Sequence, residues 1–390
     1  MKVLFVINGL GTGGAERSLT ETLEGSSPAI RPTVVCLDRR TEGVQEQVLT
    51  DGLDVRFVTG GFPLQVKAIR QTIANVHPDL VHTTIFEADL AGRLAAVRSN
   101  VPVVTSLVNT SYDPIRRSDP SVTAWRLASA RVVDGWTARH LTTHFHAITG
   151  AVRDAAIRDL HLTPDTITVI ERGRDPARLG EPGEKRRATA REALGVSLDA
   201  FALATLGRQE FQKGQRHLIE AMPKVLTELP ETVLLLAGRE GNASRALRSA
   251  VRDAGVEAQV RFLGHRDDAP EILAAADVFV FPSLYEGLGG ALIEAMALGV
   301  PIVASDLPAI REVVDPGRNA VLVQPAAPSD LADGILALAA DPVRRAGMGM
   351  RGRQVFLERF TLDRSTRRMV SLFERVVAGG RHGPTGYGMT

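Results

Sequence analysis

Short apolar runs rich in β-branched residues recur along the chain, separated by stretches with helical spacing of apolar positions. In the first half, "KVLFVI", "RPTVVCL", "LDVRFV", "DLVHT", "PVVTSLV", "HFHAI" and "ITVIERG" have the length and composition of buried strands. The segment "DPARLGEPGEKRRATAREALG" breaks the rhythm with charge, Gly and Pro. It then restarts with "AFALATLG", "TVLLLAG", "VRFLG", "VFVFPS", "PIVAS" and "AVLVQP" as strands. Here "RHLIEAMPKVLTEL", "GALIEAMALG" and "SDLADGILALAAD" read as helices. Strands alternating with helices predict parallel sheets joined by crossover helices. The expected fold class is α/β, with two tandem Rossmann-like parallel-sheet domains at 1–175 and 176–363, a linker near 172–183, and a flexible tail at 379–390. Domains of that kind are expected to face each other across a ligand-binding cleft.

Length and charge narrow this picture. A chain of 390 residues exceeds what one core usually supports, which favours two domains. Forty-six basic against 45 acidic residues, interspersed, give a net charge of +1 and no general attraction to nucleic acid. Cys36 is the single cysteine, so no disulfide forms within the chain and a reducing compartment is expected. The first apolar run is too short for a signal peptide, and no run approaches the roughly 20 apolar residues that span a bilayer. The expectation is a cytoplasmic protein, in which the N-x-S triplets at Asn109 and Asn242 stay unmodified.

Candidate chemistry lies in three places. In "VLFVINGLGTGGAERSL", Gly9, Gly11 and Gly14 follow a strand and open a helix, the spacing of a dinucleotide-binding loop, and Asp38 ends the next strand where a ribose-binding acid would sit. These residues alone fit either a nicotinamide cofactor or another phosphate- or sugar-bearing ligand. In "FPSLYEGLGGALIEAMALGVPIVAS", a strand ends at Pro282 and Ser283, a turn carries Glu286, and a helix opens near Gly289 and Gly290. Its first-turn N–H groups and dipole suit a phosphate. Glu294 lies among Ala, Leu, Ile and Met, where an unpartnered carboxylate is costly, so it must hold something polar. In "TLGRQEFQKGQRHLIEA", Arg208 and Lys213 flank a loop after a strand and form a cation pair suited to a diphosphate.

The E-x7-E pattern of Glu286 and Glu294 resembles the retaining glycosyltransferases of family 4, which have the GT-B fold. "GTGGAERSL" is similar to that family's first loop, and "DLVHTT" to a first-domain strand with its histidine. "VIERGRDPARL" resembles the hinge that usually reads isoleucine, proline, asparagine, glycine, valine, aspartate. "LGR" with "QKG" resembles the diphosphate-binding pair, and "VRFLGHRDDAPEILAAADVFVFPS" the base-binding region. Five such motifs in the correct order set aside the nicotinamide reading.

The resemblance implies a nucleotide-diphosphate-sugar donor and front-face transfer with retention to an acceptor hydroxyl. It places Glu286 beside the donor sugar, with Gly287, Leu288 and Gly289 nearby, and Glu294 on the donor ribose. Arg208 and Lys213 neutralise the diphosphate, assisted by Gly290 and Ala291. The base lies near His265 and Arg266, and Gly14, Asn109, Gly207 and Gly238 complete the donor set. Gly11, Gly13 and Gly14 let the backbone approach phosphate or sugar groups, with Gly13, Gly14 and His82 as acceptor-side candidates. No metal and no cofactor is expected, since no D-x-D motif stands where one is needed. Asp267 and Asp268 fit a helix start. A last helix at about 364–378 is expected to return to the first domain.

Several features keep a second reading. Asn109 stands where many relatives have a histidine that contacts the donor sugar. An amide donates and accepts but moves no proton at neutral pH, so a nucleotide-sugar-binding protein without transfer activity is the alternative, with an epimerase of the same fold behind it. His82 equally fits a satisfied strand-end histidine, and His144 and His146 fit structural roles. Glu16 fits either a dipole-favoured residue or an acceptor contact. "EKRRATARE" fits a solvated helix face. Trp125 and Trp136 are expected in the core, with weak peripheral membrane contact by a basic first-domain face as the other possibility. Base (UDP, GDP, ADP or TDP), sugar and acceptor, whether glycan, lipid-linked chain or natural product, stay open.

Overall fold

The computed structural model describes residues 1–380 except 12, 27–28, 40–42 and 51. The expected tail therefore lies outside the described residues from 381 onward, while Gly379 and Gly380 end the helix Leu362–Gly380. All thirteen predicted strands form. The first seven are β1 (Lys2–Ile7), β2 (Arg31–Cys36), β3 (Asp54–Phe57), β4 (Leu80–Thr84), β5 (Val103–Leu107), β6 (His144–Ala147) and β7 (Ile167–Val169). They make one sheet in the order β3-β2-β1-β4-β5-β6-β7, parallel throughout. The other six are β8 (Phe201–Leu206), β9 (Thr232–Ala237), β10 (Val260–Gly264), β11 (Val278–Phe281), β12 (Ile302–Ser305) and β13 (Ala320–Val323). Their order, β10-β9-β8-β11-β12-β13, is also parallel throughout.

The chain divides into two units: 1–112, 124–173 and 362–390 form the first, and 113–123 with 174–361 the second. The main crossing falls at 173/174 and the return at 361/362, within two residues of the expected bounds, and one further segment changes sides. Residues 113–123 group with the second unit because Ser121 and Asp119 bond there: the Asn242 amide donates to Ser121 Oγ at 2.9 Å, and Asn242 Oδ1 accepts from the Phe211 N–H at 2.9 Å.

Each unit buries its sheet on both faces, which is why its strands read as continuous apolar runs. In the first, Val3, Phe5 and Ile7 pack in one cluster with Met369, Leu372 and Phe373 of the last helix. Leu4 and Val6 pack in another with Ile69, Ile73, Ala88 and Ala91. The second unit has an aliphatic core built on Leu203, Leu234, Leu236, Val278, Val280 and Val303. In both sheets the order reverses direction beside the first strand, at β1/β4 and β8/β11. Ligands of doubly wound folds bind at the carboxyl ends of the strands at such switch points.

One sequence expectation fails here. Trp125 and Trp136 are not core residues. On the helix Ala124–Leu141 they are 67% and 53% exposed, on the same outward face as Val132. That helix turns Asp134, Thr137 and Ala138 inward, a narrow buried stripe that leaves the indoles outside. His82 is buried, as its strand-end reading expects: it is 5% exposed, with its ring packed against Phe5 and Phe373.

Candidate active site

In the second unit the loops at the carboxyl ends of β8, β9, β10 and β11 carry Gly207, Arg208, Lys213, Gly238, His265, Arg266 and Glu286 to Gly289 of the predicted donor set. Backbone crowding explains the glycines. Gly238 has φ +149°, and a Cβ there would collide with the Gly207 carbonyl, while Gly207 itself has φ +157°. The N–H of Gly207 donates to the Ala237 carbonyl at 2.9 Å, and that of Gly238 to the Gly264 carbonyl at 2.7 Å, stitching three strand ends together. A Cβ at Gly214 would collide with the Pro282 carbonyl, and Leu284 N–H donates to Gln212 O at 2.8 Å. The β8 loop is thereby pressed against the β11 loop.

That contact brings two predicted residues together. Lys213 Nζ lies 2.7 Å from Glu286 Oε2, both largely buried, and Ser283 Oγ donates to the same oxygen at 3.3 Å. Gln212 Nε2 donates to the Tyr285 carbonyl at 3.0 Å. The carboxylate is held in one orientation by a cation and a hydroxyl. Arg208 is less committed. Its guanidinium is 3.7 Å from Glu210 and its side chain is 43% exposed, so it can turn to an anion at small cost.

Gly289, at φ +82°, precedes the helix Gly290–Ala297, and its carbonyl accepts from the Leu292 N–H at 2.9 Å. A left-handed residue with no side chain leaves the first-turn amides of Gly290 and Ala291 uncovered by a cap, the arrangement that binds phosphate. Glu294 follows one turn in and is 5% exposed. The polar partner that its burial requires is Arg174, whose Nε is 2.8 Å from Glu294 Oε1. Sequence reasoning missed Arg174; its signal was the arginine at the hinge position where the family pattern has valine.

His265 and Arg266 follow β10. His265 Nε2 is 3.3 Å from Asp267, and Arg266 Nε donates to Asp268 Oδ1 at 2.7 Å. This pairing raises the Arg266 pKa and lowers that of Asp268. Asp268 occupies the N-cap position of the helix Ala269–Ala275, as predicted, but its carboxylate holds Arg266 rather than an N–H of the helix's first turn. Gly287 and Leu288 lie in the β11 loop between the Lys213–Glu286 pair and the helix start.

In the first unit Gly13 caps the helix Gly14–Gly25, and the Glu16 carboxylate folds back over Gly13, where a Cβ would strike it. Gly14 is exposed, with open space at its α-carbon, and its carbonyl accepts from Arg172 Nη1 at 3.0 Å. Asn109 is half-buried after β5, and its Oδ1 accepts from the Thr110 N–H at 2.9 Å. At the β1/β4 switch point stand two residues that sequence reasoning passed over. The Asn8 amide bonds the exposed Glu87 carboxylate, and Asn8 Oδ1 accepts from Ala88 N–H at 3.0 Å. Between β4 and the helix Phe86–Ala96, Ile85 has φ +79°, a costly conformation for a β-branched residue that marks a constrained turn.

His82 belongs to a chain of hydrogen bonds in the interior. His146 Nε2 faces the Ile170 carbonyl at 2.8 Å, so that nitrogen carries the proton. His146 Nδ1 then accepts from Ser106 Oγ at 2.8 Å, and Ser106 accepts from His82 Nε2 at 2.8 Å. Burial pushes the His82 pKa down to about 3 and that of His146 to about 4, so both rings are neutral. His146 is structural, as expected, and His82 takes the satisfied strand-end role.

A two-unit α/β architecture with this site defines a glycosyltransferase of the GT-B fold class. The family profile described as Glycosyltransferase Family 4 matches residues 12–178, and the profile Glycosyl transferases group 1 matches residues 200–341. The alpha-maltose-1-phosphate synthase of Mycolicibacterium smegmatis is 32% identical over 77% of this chain and 79% of its own length. The D-inositol 3-phosphate glycosyltransferase of Corynebacterium kroppenstedtii is 29% identical over 60% of this chain and 53% of its own. Among solved structures, Anabaena Alr3699/HepE in complex with UDP and glucose superposes with a TM-score of 0.84 at 23% identity, covering 96% of this chain and 99% of that one. The chain belongs to glycosyltransferase family 4, and it is an enzyme of that class.

Proposed function

We propose that this enzyme transfers a sugar, with retention of anomeric configuration, from a nucleotide-diphosphate sugar to an acceptor hydroxyl. The observation that carries this reading is the Lys213–Glu286 pair at the carboxyl edge of β8 and β11, in the loop that leads into an uncapped helix start at Gly290. The C1–O bond to the diphosphate breaks as the acceptor oxygen forms its bond to C1 on the same face. The acceptor proton passes to the departing phosphate oxygen. Lys213, Arg208 and the amides of Gly290 and Ala291 stabilise the charge that develops there, and Glu286, fixed by Lys213, accepts from the donor sugar's hydroxyls. Transfer runs without metal or cofactor in this proposal. Acceptor binding is assigned to the first unit, around Gly13, Gly14, Asn8 and Glu87, and Asn109 sets which sugar is accepted. The relatives are named for alpha-maltose 1-phosphate, D-inositol 3-phosphate and a diphosphoundecaprenol-linked sugar, which supports a hydroxylated or lipid-linked acceptor.

The partner side of the proposal is an anionic lipid surface. Trp125, Val132 and Trp136 share one outward face with Arg126, Arg131 and Arg139 beside it, and the helix's only acid, Asp134, is buried. Apolar rings among cations complement acidic headgroups and disfavour a second copy of the same face. No helix among the described residues is long and apolar enough to cross a membrane, and a cytoplasmic location is part of the same reading, supported by the buried thiol Cys36.

A thermal-shift screen of nucleoside diphosphates and nucleotide sugars tests the donor class, since a ligand that binds only the native state raises Tm. NMR of the product's anomeric centre tests retention. Inversion at that centre, or tight donor binding without turnover over many acceptors, overturns the transfer mechanism.

A further inference from the structure

We propose that Arg174 is a positioning residue for the donor's ribose, acting through Glu294; this rests on the donor site described above. The guanidinium Nε–H donates to Glu294 Oε1 at 2.8 Å, and the two side chains are 4% and 7% exposed. The same guanidinium packs on Gly290, where a Cβ would strike Nη2. The backbone beneath it is pinned, because Arg174 N–H donates to the Phe360 carbonyl at 2.8 Å and Arg174 pairs with Thr361 in an isolated parallel bridge.

A cation at the positive end of a helix is unfavourable by itself. It is tolerated here because the Glu294 carboxylate lies one turn further along the same helix, and in return the arginine holds that buried side chain in one rotamer. A carboxylate accepts about four hydrogen bonds, so one held by an arginine still accepts from a vicinal diol, and with charge-assisted strength. A ribose presents such a diol; a deoxyribose does not. Arg174 stands where the family's usual hinge pattern has valine, a side chain that could not bond Glu294.

The test is calorimetric titration of the full chain with UDP, GDP and ADP and with their 2′-deoxy counterparts. The wild type is expected to bind its preferred ribonucleotide roughly ten- to hundredfold more tightly than the deoxy form, the size of one hydrogen bond to a charged group. Arg174→Lys keeps the charge and the fold but loses the fixed fork, and should pull this ratio toward one while leaving the deoxy affinity unchanged. A merely structural arginine would weaken both forms together. On a Glu294→Gln background, where no buried charge is left unpaired, Arg174→Met should alter the ratio no further. A wild-type ratio in Arg174→Lys overturns the proposal. So does equal weakening of both forms by Arg174→Met on the Gln background, which would place the guanidinium on the phosphates. If the wild type binds none of the six nucleotides, the donor-site reading falls as well, which separates the two failures.

Discussion

The two units share one topology but keep their polar groups in different places. In the first, polar and titratable side chains are inside: His82, Ser106 and His146 cross β4, β5 and β6. Arg93, 1% exposed, donates to Asp134 at 2.7 Å and to Thr137 at 3.0 Å, while Tyr112 donates to the other Asp134 oxygen at 2.9 Å. In the second, ionic groups sit at opposite ends of the sheet. At the amino end Asp277 binds Arg187, Arg191 and the Ala202 N–H. At the carboxyl end are Lys213–Glu286 and Arg174–Glu294. Ionic pairs that are closed off on every side specify packing. Those at a switch point, beside uncovered helix amides, are available for chemistry. The contrast therefore separates residues whose loss unfolds the protein from residues whose loss silences it.

The largest expected effect is on the first unit's stability. Arg93→Leu leaves the Asp134 carboxylate without its cation in the interior, and urea unfolding should show a loss of about 3–5 kcal/mol. A loss below about 1 kcal/mol would mean that this network is open to water. Next is Lys213→Ala, which should lower kcat by about 10²–10³ with the fold intact by circular dichroism. Arg208→Ala is expected in the same range if the exposed guanidinium turns onto the diphosphate. Activity within a few-fold of wild type for both variants would break the contrast at its catalytic end.

A smaller effect is the pH dependence of stability. Because His82 and His146 have folded pKa values below the ordinary 6.5, the unfolded chain takes up two protons that the folded chain does not as pH falls from about 6.5 toward 4. Asp89 opposes this. Burial pushes its pKa up to about 7, so the folded state holds a proton between about pH 4 and 7 that the unfolded state has lost. For these three groups the net is about one proton, a contribution that should fall by about 1.4 kcal/mol per pH unit on acidification around pH 5, and His144, its pKa also lowered by burial, acts in the same direction. His82→Leu should remove most of that slope, since Ser106 still donates to His146. The smallest effect is expected at the surface: Trp125→Ser with Trp136→Ser should shift stability by under about 0.5 kcal/mol yet abolish sedimentation with phosphatidylglycerol vesicles. Vesicle binding that survives the double substitution would remove the lipid surface from the proposal.

Much of this was legible before any coordinates. Each β-rich run became a strand because a parallel strand covered on both faces must be apolar at every position, a signal that needs no partner to be read. The demand that Glu294 be partnered was also legible, since burial of a charge has a known cost. The partner's identity was not. Arg174 is 120 positions away, and only the chain's passage past Phe360 and Thr361 delivers its guanidinium to Gly290.

Histidine and tryptophan show the same limit from the other side. "DLVHTT" reads alike whether His82 faces a ligand or Ser106, and "AWRLASARVVDGWTARHL" reads alike whether its indoles point in or out. Periodicity and composition are local properties, carried by neighbours along the chain, and they sufficed for the elements, the two-sheet architecture and the candidate donor motifs. Which side chain meets which, and so whether a charged or aromatic group is structural or chemical, is a long-range property. It exists only once distant segments have been packed together.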